Sequence, residues 1–232
     1  MHHITSASED NTRVMNRSGL LTRGLQFCFG TVHGLSYSVK CVLWQRMNQT
    51  PVAASKHRIF EYANSQISKG QPVDYFEFGV GSGGTFRFWL ELNRCHESRF
   101  YGFDAFTGLP EGWERFGKYA FSTQGIKPEI SDLRGGFVVG LFQDTVPVFQ
   151  RTFERRNRLV LNIDCDLYTS AMFVLTHMNP FIRSGDLIYF DEFNSALNEF
   201  RAYDDYSKCC RRTLTPIMKT QSGNQILFEV KS

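Results

Sequence analysis

The chain has no continuous run of 18 apolar residues, so no membrane-spanning helix is expected. Its start, Met1-His2-His3-Ile4, has no charged region followed by an apolar stretch, and no signal peptide is read there. The six cysteines, Cys28, Cys41, Cys95, Cys165, Cys209 and Cys210, include no C-x-x-C pair. That spacing argues against a zinc site or a disulfide framework and suits a reducing, cytoplasmic location. There is no G-x-S-x-G, and no cysteine has a recognisable base nearby in sequence, so nucleophilic hydrolysis has no support. The six histidines form no spaced ligand pair. A net charge of +3 without a basic run gives no reason to expect a nucleic-acid partner.

At 232 residues the chain is long enough for one domain with a full core. Hydrophobic residues at 42% and charged residues at 21% are ordinary for a globular protein. Aromatics are high at 15%, with 22 Phe, which fits a thick core and an aromatic pocket equally.

The most informative stretch is 74–92, DYFEFGVGSGGTFRFWLEL. A buried strand, Val73 to Phe78, runs into Gly79, Gly81, Gly83 and Gly84. Phe86, Phe88, Trp89, Leu90 and Leu92 then read as a helix. Strand, glycine turn and helix open a nucleotide-binding α/β unit. Gly79, Gly81 and Gly84 fit the dinucleotide spacing, but Glu77 precedes the first glycine by two residues. A carboxylate there repels a pyrophosphate and attracts a cationic ligand. S-adenosylmethionine (SAM) carries an ammonium and a sulfonium and has no phosphate. Residues 77–83 match E/D-x-G-x-G-x-G, the first motif of class I SAM-dependent methyltransferases. Glu77, Gly79, Gly81 and Gly83 are therefore candidate cofactor contacts.

Residues 1–50 read as an N-terminal helical extension, loose to about residue 18. One or two helices over 20–48 should pack on the main domain or on a second subunit of a homo-oligomer. Residues 51–232 read as the methyltransferase domain. Pro51 is expected to start a helix over 52–68. Strands are expected at 73–79, 99–104, 137–142, 159–164, 186–191, 213–219 and 225–230. Helices are expected at 84–94, 145–153, 170–178 and 195–207. The connection 105–134 is too long for a plain loop and should hold local helices or act as a lid. The expected fold is α/β: a three-layer, Rossmann-like sheet of seven mostly parallel strands, with the last antiparallel.

Ligands of open α/β sheets bind at the carboxyl ends of the strands. Asp104 ends the second strand, placed to reach ribose hydroxyls. Asp164 and Asp166 follow the fourth strand, and Asp191 and Glu192 follow the fifth. These strands are neighbours in such a sheet, so the two acidic turns should meet. Crowded carboxylates repel unless a cation joins them, and all-oxygen ligands favour Mg2+. Asp166 reads equally well as the cap of the next helix.

With those residues in order, the chain resembles the macrocin O-methyltransferase family of class I enzymes over roughly 73–205. The carriers are EFGVGSGG at 77–84, DAFTGLP at 104–110, GLFQDTVP at 140–147, DCDLYTS at 164–170 and Asp191-Glu192-Phe193. The resemblance implies SAM and Mg2+ as cofactors, with a sugar or another small natural-product hydroxyl as acceptor. It implies Asp164, Asp191 and Glu192 as metal ligands, Asp104 on the ribose, Phe142 beside the cofactor and 105–134 as cover. The chain departs from the family in having Glu192 where a second Asp is usual. It also has no His in 105–136, where the family's candidate base lies, so Asp164 is the candidate catalytic residue. Two other readings stay open: a NAD-dependent oxidoreductase and a non-catalytic SAM-fold partner protein.

Overall fold

The computed structural model describes residues 31–232, so the expectations for residues 1–30 lie outside the described residues. Eight strands form one sheet: β1 Val52–Ala53, β2 Val73–Phe78, β3 Arg99–Asp104, β4 Gly135–Val139, β5 Arg158–Ile163, β6 Leu187–Phe190, β7 Leu214–Thr220 and β8 Ile226–Val230. Their spatial order is β1-β7-β8-β6-β5-β2-β3-β4. Every neighbouring pair is parallel except those of β8, which runs antiparallel to both β6 and β7. This is the expected methyltransferase sheet with one strand more than the expected seven.

The extra strand, β1, corrects the reading of Pro51 as a helix start. The Pro51 carbonyl accepts from the Lys219 amide at 2.9 Å, so Val52 and Ala53 stay extended and pair with β7 at the sheet edge. Ser55 is the cap, its hydroxyl accepting from the Arg58 amide at 3.4 Å, and α2 runs Lys56–Tyr62. The helices α3 (Gly84–Leu92), α4 (Phe142–Gln150), α5 (Tyr168–Met178) and α6 (Glu199–Cys209) follow in turn. Strand β4 begins two residues earlier than expected, at Gly135, and α4 three residues earlier.

Strand β2 is buried on both faces, which explains its unbroken apolar run. Phe76 and Phe78 join Phe103, Leu161 and Ile163 on one side of the sheet. Tyr75 joins Phe60, Phe86, Trp89 and Phe100 on the other. Helix α1, residues 31–47, packs on α6: the Tyr37 hydroxyl donates to Asp205 at 2.6 Å and Trp44 Nε1 to the Tyr203 hydroxyl at 3.1 Å. Val32, Leu35, Val39 and Val42 lie on its exposed side. Among the described residues no helix is long and apolar enough to cross a membrane.

The 105–134 connection holds no helix. Its own backbone bonds fold it instead, Leu109 with both Ala120 and Tyr119, and Phe106 with Thr123 and Gly125.

Candidate active site

The sheet sorts its acids by end. At the amino ends of the strands, Arg99 holds Asp74 through two bonds of 2.9 and 2.7 Å, and Arg155 holds Asp186 through two of 2.7 Å. At the carboxyl ends a cavity of about 560 Å3 opens, and among the described residues no arginine lines it. Its volume lies within the roughly 300–1,000 Å3 of small-molecule sites. The wall includes Gly79, Gly81, Asp104, Phe142, Asp164 and Glu192.

The glycine turn is built by close approach. Register pairs Phe78 with Ile163, which puts Gly79 beside Asp164. A Cβ at Gly79 would lie 1.7 Å from the Asp164 carbonyl oxygen, and φ there is +96°, so only glycine fits. At Gly81 a Cβ would meet nothing within 4 Å. The space in front of Gly81 is the cavity itself. Gly83 precedes α3 as its N-terminal cap residue and faces Pro128 of the long connection.

Asp104 is engaged more fully than the sequence suggested. Its Oδ2 accepts from the Val80 and Gly81 amides, both at 2.8 Å, and its Oδ1 from the Phe106 amide at 2.6 Å. It therefore organises the glycine turn, and it also lines the cavity. Phe142 begins α4 and meets Phe78 edge-on at 5.7 Å between ring centroids.

Glu77 lies beneath the cavity rather than on its wall, at 1% exposure. The Tyr75 hydroxyl donates to it at 2.5 Å. Burial pushes its carboxyl up to about 8, against the pull of the Tyr75 and Asn162 hydrogen bonds and the Lys56 ammonium.

Strands β5 and β6 bring the two acidic turns together, because Ile163 pairs with Phe190 and the next residues are Asp164 and Asp191. Burial, then Asp191, Glu199 and Glu77, hold the Asp164 carboxyl well above the usual range. Asp166 does not cap α5, whose cap residue is Leu167 with no side-chain bond. It lines the cavity instead, and burial followed by Glu192 and Asp191 raises it to about 7. Asp191 accepts from the Tyr189 hydroxyl at 2.8 Å and lies 3.6 Å from Lys56 Nζ. Glu192 accepts from Asn224 Nδ2 at 2.7 Å.

Sequence reasoning missed two participants, Lys56 and Glu199. Glu199, fully buried, accepts from the Glu192 amide at 2.9 Å, while its Oε1 has no partner. Neither carried a sequence signal. Both come from helices that look ordinary and reach the site only through the fold.

The donor set has the chemistry of a hard-cation site. All its donors are carboxylate oxygens, the proton affinities of Asp164, Asp166 and Glu192 are raised, and one buried oxygen of Glu199 lacks a donor. The three expected ligands are not drawn together as they stand. Among the described residues, only Cys95, His96 and Glu97 bring three ligand atoms within 4.8 Å, and they precede β3 at the opposite end of the sheet.

A family profile described as "Methyltransferase domain" matches residues 76–193, just over half of the chain. No curated protein matches significantly. Among solved structures, the O-methyltransferase NovP is 21% identical, with 76% of this chain and 80% of that one covered and a TM-score of 0.60. CalS11, a calicheamicin methyltransferase, is 20% identical over 75% and 78%, with a TM-score of 0.58; it is also described as a TDP-rhamnose 3'-O-methyltransferase. An O-methyltransferase from Bacillus cereus in complex with SAH is 13% identical over 86% and 91%, with a TM-score of 0.54. At these identities the likeness is one of fold. The profile match carries the assignment, and the chain belongs to the methyltransferase-domain family.

Proposed function

We propose that the protein is a SAM-dependent O-methyltransferase that acts on a hydroxyl of a small molecule, such as a sugar or another natural product. The observation that carries this reading is the cavity at the carboxyl ends of the strands. Residues 79–82 of the glycine turn, Asp104 and the carboxylates Asp164, Asp166 and Glu192 all line it. CalS11, a fold relative, acts on TDP-rhamnose, which supports a sugar acceptor.

Bound in the cavity, SAM would supply an electrophilic methyl on a sulfonium, to be transferred to the acceptor oxygen with the C–S electron pair left on sulfur. The protein's part is to position the two partners, exclude water and take the hydroxyl proton. Trp113 and Phe121 of the long connection supply apolar wall to the cavity, and with Glu192 they also line a second cavity of about 510 Å3, completed by Glu114, Arg115 and Phe116. That space suits the body of the acceptor.

Asp164, Asp191 and Glu192 are the residues that would hold a Mg2+ ion. Such an ion would lower the pKa of a hydroxyl that binds it. Asp164 is the candidate base read from the sequence, but ligation weakens a carboxylate as a base. Asp166, on the same turn and with no hydrogen-bond donor to its side chain among the described residues, is better placed to take the proton. Helix α1 is the surface through which a homo-oligomer would form.

The test is methyl transfer from SAM to hydroxylated acceptors, before and after EDTA and with Mg2+ restored. The reading expects activity to vanish with EDTA and return with Mg2+. Activity indifferent to EDTA, with Asp164→Asn fully active, would make the enzyme metal-independent and these acids structural.

A further inference from the structure

We propose that Lys56 holds the carboxylate of the cofactor's amino-acid end. The inference rests on SAM being the cofactor. The amino-acid end of SAM carries an ammonium and a carboxylate. The ammonium suits a cavity walled by Asp104, Asp164, Asp166 and Glu192. The carboxylate does not: the ionised acids of that wall repel it unless a cation meets it. Among the described residues, Lys56 is the only lysine or arginine that lines the cavity.

Its placement fits the task. Lys56 is the first residue of α2, directly after the Ser55 cap, and it shares the cavity wall with Gly79, Val80 and Gly81. Its Nζ lies 3.6 Å from Asp191 Oδ1, longer than the roughly 2.7–2.9 Å of a tight ammonium–carboxylate hydrogen bond. Asp191 already accepts from the Tyr189 hydroxyl. An ammonium has three donors, and this loose pair leaves donors free for a ligand.

The side chain is about one-third exposed, so the ammonium is anchored at the cavity edge rather than sealed in the core. His57 also lines the cavity, its ring packed on Phe88 at 4.4 Å, while Arg87 donates to the Ser82 carbonyl at 2.9 Å and is not part of the wall. The hydroxyls of Ser82 and Thr85 add donors to the wall but no charge.

The test is a chemical cycle. SAM and decarboxylated SAM differ in the carboxylate, and Lys56→Met removes the ammonium while keeping a long side chain. Calorimetry on the four combinations reads both affinities. The wild type is expected to prefer SAM by about tenfold or more, the scale of a charge-assisted hydrogen bond. In Lys56→Met that preference should vanish, through weaker SAM binding with decarboxylated SAM binding as well or better.

Loss of affinity for both ligands alike in Lys56→Met would overturn the assignment and leave Lys56 as a counter-ion for Asp191. So would an undiminished preference. If Lys56→Met does not fold, Lys56→Gln takes its place. A wild type that binds the two ligands equally refutes the proposal with no variant at all. A wild type that binds neither refutes the SAM reading itself, and this inference with it.

Discussion

The Tyr75 hydroxyl donates to Glu77 across one turn of pleat on the same face of β2, and the pair is buried beneath the glycine turn. A carboxyl held at about 8 there is largely protonated at neutral pH. A group whose pKa is raised on folding stabilises the protein fully below its unfolded value, near 4.5, and loses that contribution as pH rises through its folded value. Asp166, at about 7, acts in the same direction. The unliganded protein should therefore lose on the order of a few kcal/mol between pH 5 and pH 8.5, or roughly 5–10 °C in Tm. Glu77→Gln should flatten that slope. Calorimetric melts across this range check it, and a Tm that climbs with pH contradicts it.

The two glycines at 79 and 81 should respond differently to substitution. Gly79→Ala drives a Cβ into the Asp164 carbonyl and should unfold the domain or cripple its expression. Gly81→Val points into open cavity, so its circular dichroism should stay close to wild type while binding of SAM is lost. Its positive φ adds a strain on the order of 1 kcal/mol. Cofactor binding by a folded Gly81→Val protein would place the cofactor elsewhere.

The long connection supplies Leu109, Trp113 and Phe121 to the cavity wall, and Trp113 Nε1 is buried without a partner. We expect hydrogen exchange over 105–134 to slow on adding S-adenosylhomocysteine, as a closing lid would produce. Exchange that is already slow and unchanged by the ligand would describe a fixed wall instead.

Asp164 and Asp166 are expected to part company on mutation. Asp164→Asn should impair divalent-ion binding and slow methyl transfer about a thousandfold or more. Asp166→Asn should leave ion affinity near wild type and lower kcat, by roughly a hundredfold or more for a lost general base. Manganese binding measured on both variants separates the roles. Equal loss of ion affinity in the two would make Asp166 a ligand.

The sheet was readable because its signals are local. The Val73–Phe78 run and the glycines after it announce themselves within a few residues. The acids at strand ends were readable for the same reason, since topology alone brings Asp164 beside Asp191. What was not readable depends on distant partners. Lys56 looks like any surface lysine on a short helix until α2 is laid against Asp191, 135 positions away in sequence. Asp166 looked like a cap until its left-handed backbone, φ +60°, turned it to the cavity. Glu77 was read as facing the ligand because sequence does not show that Tyr75 covers it. β1 escaped notice because two residues are too few to carry a periodicity.

Calorimetric titration of the wild-type protein with SAM, S-adenosylhomocysteine and NAD tests the central claim most directly. The glycine turn and the acid-lined cavity predict one-to-one binding of the first two and none of NAD. Tight NAD binding without SAM binding would contradict it.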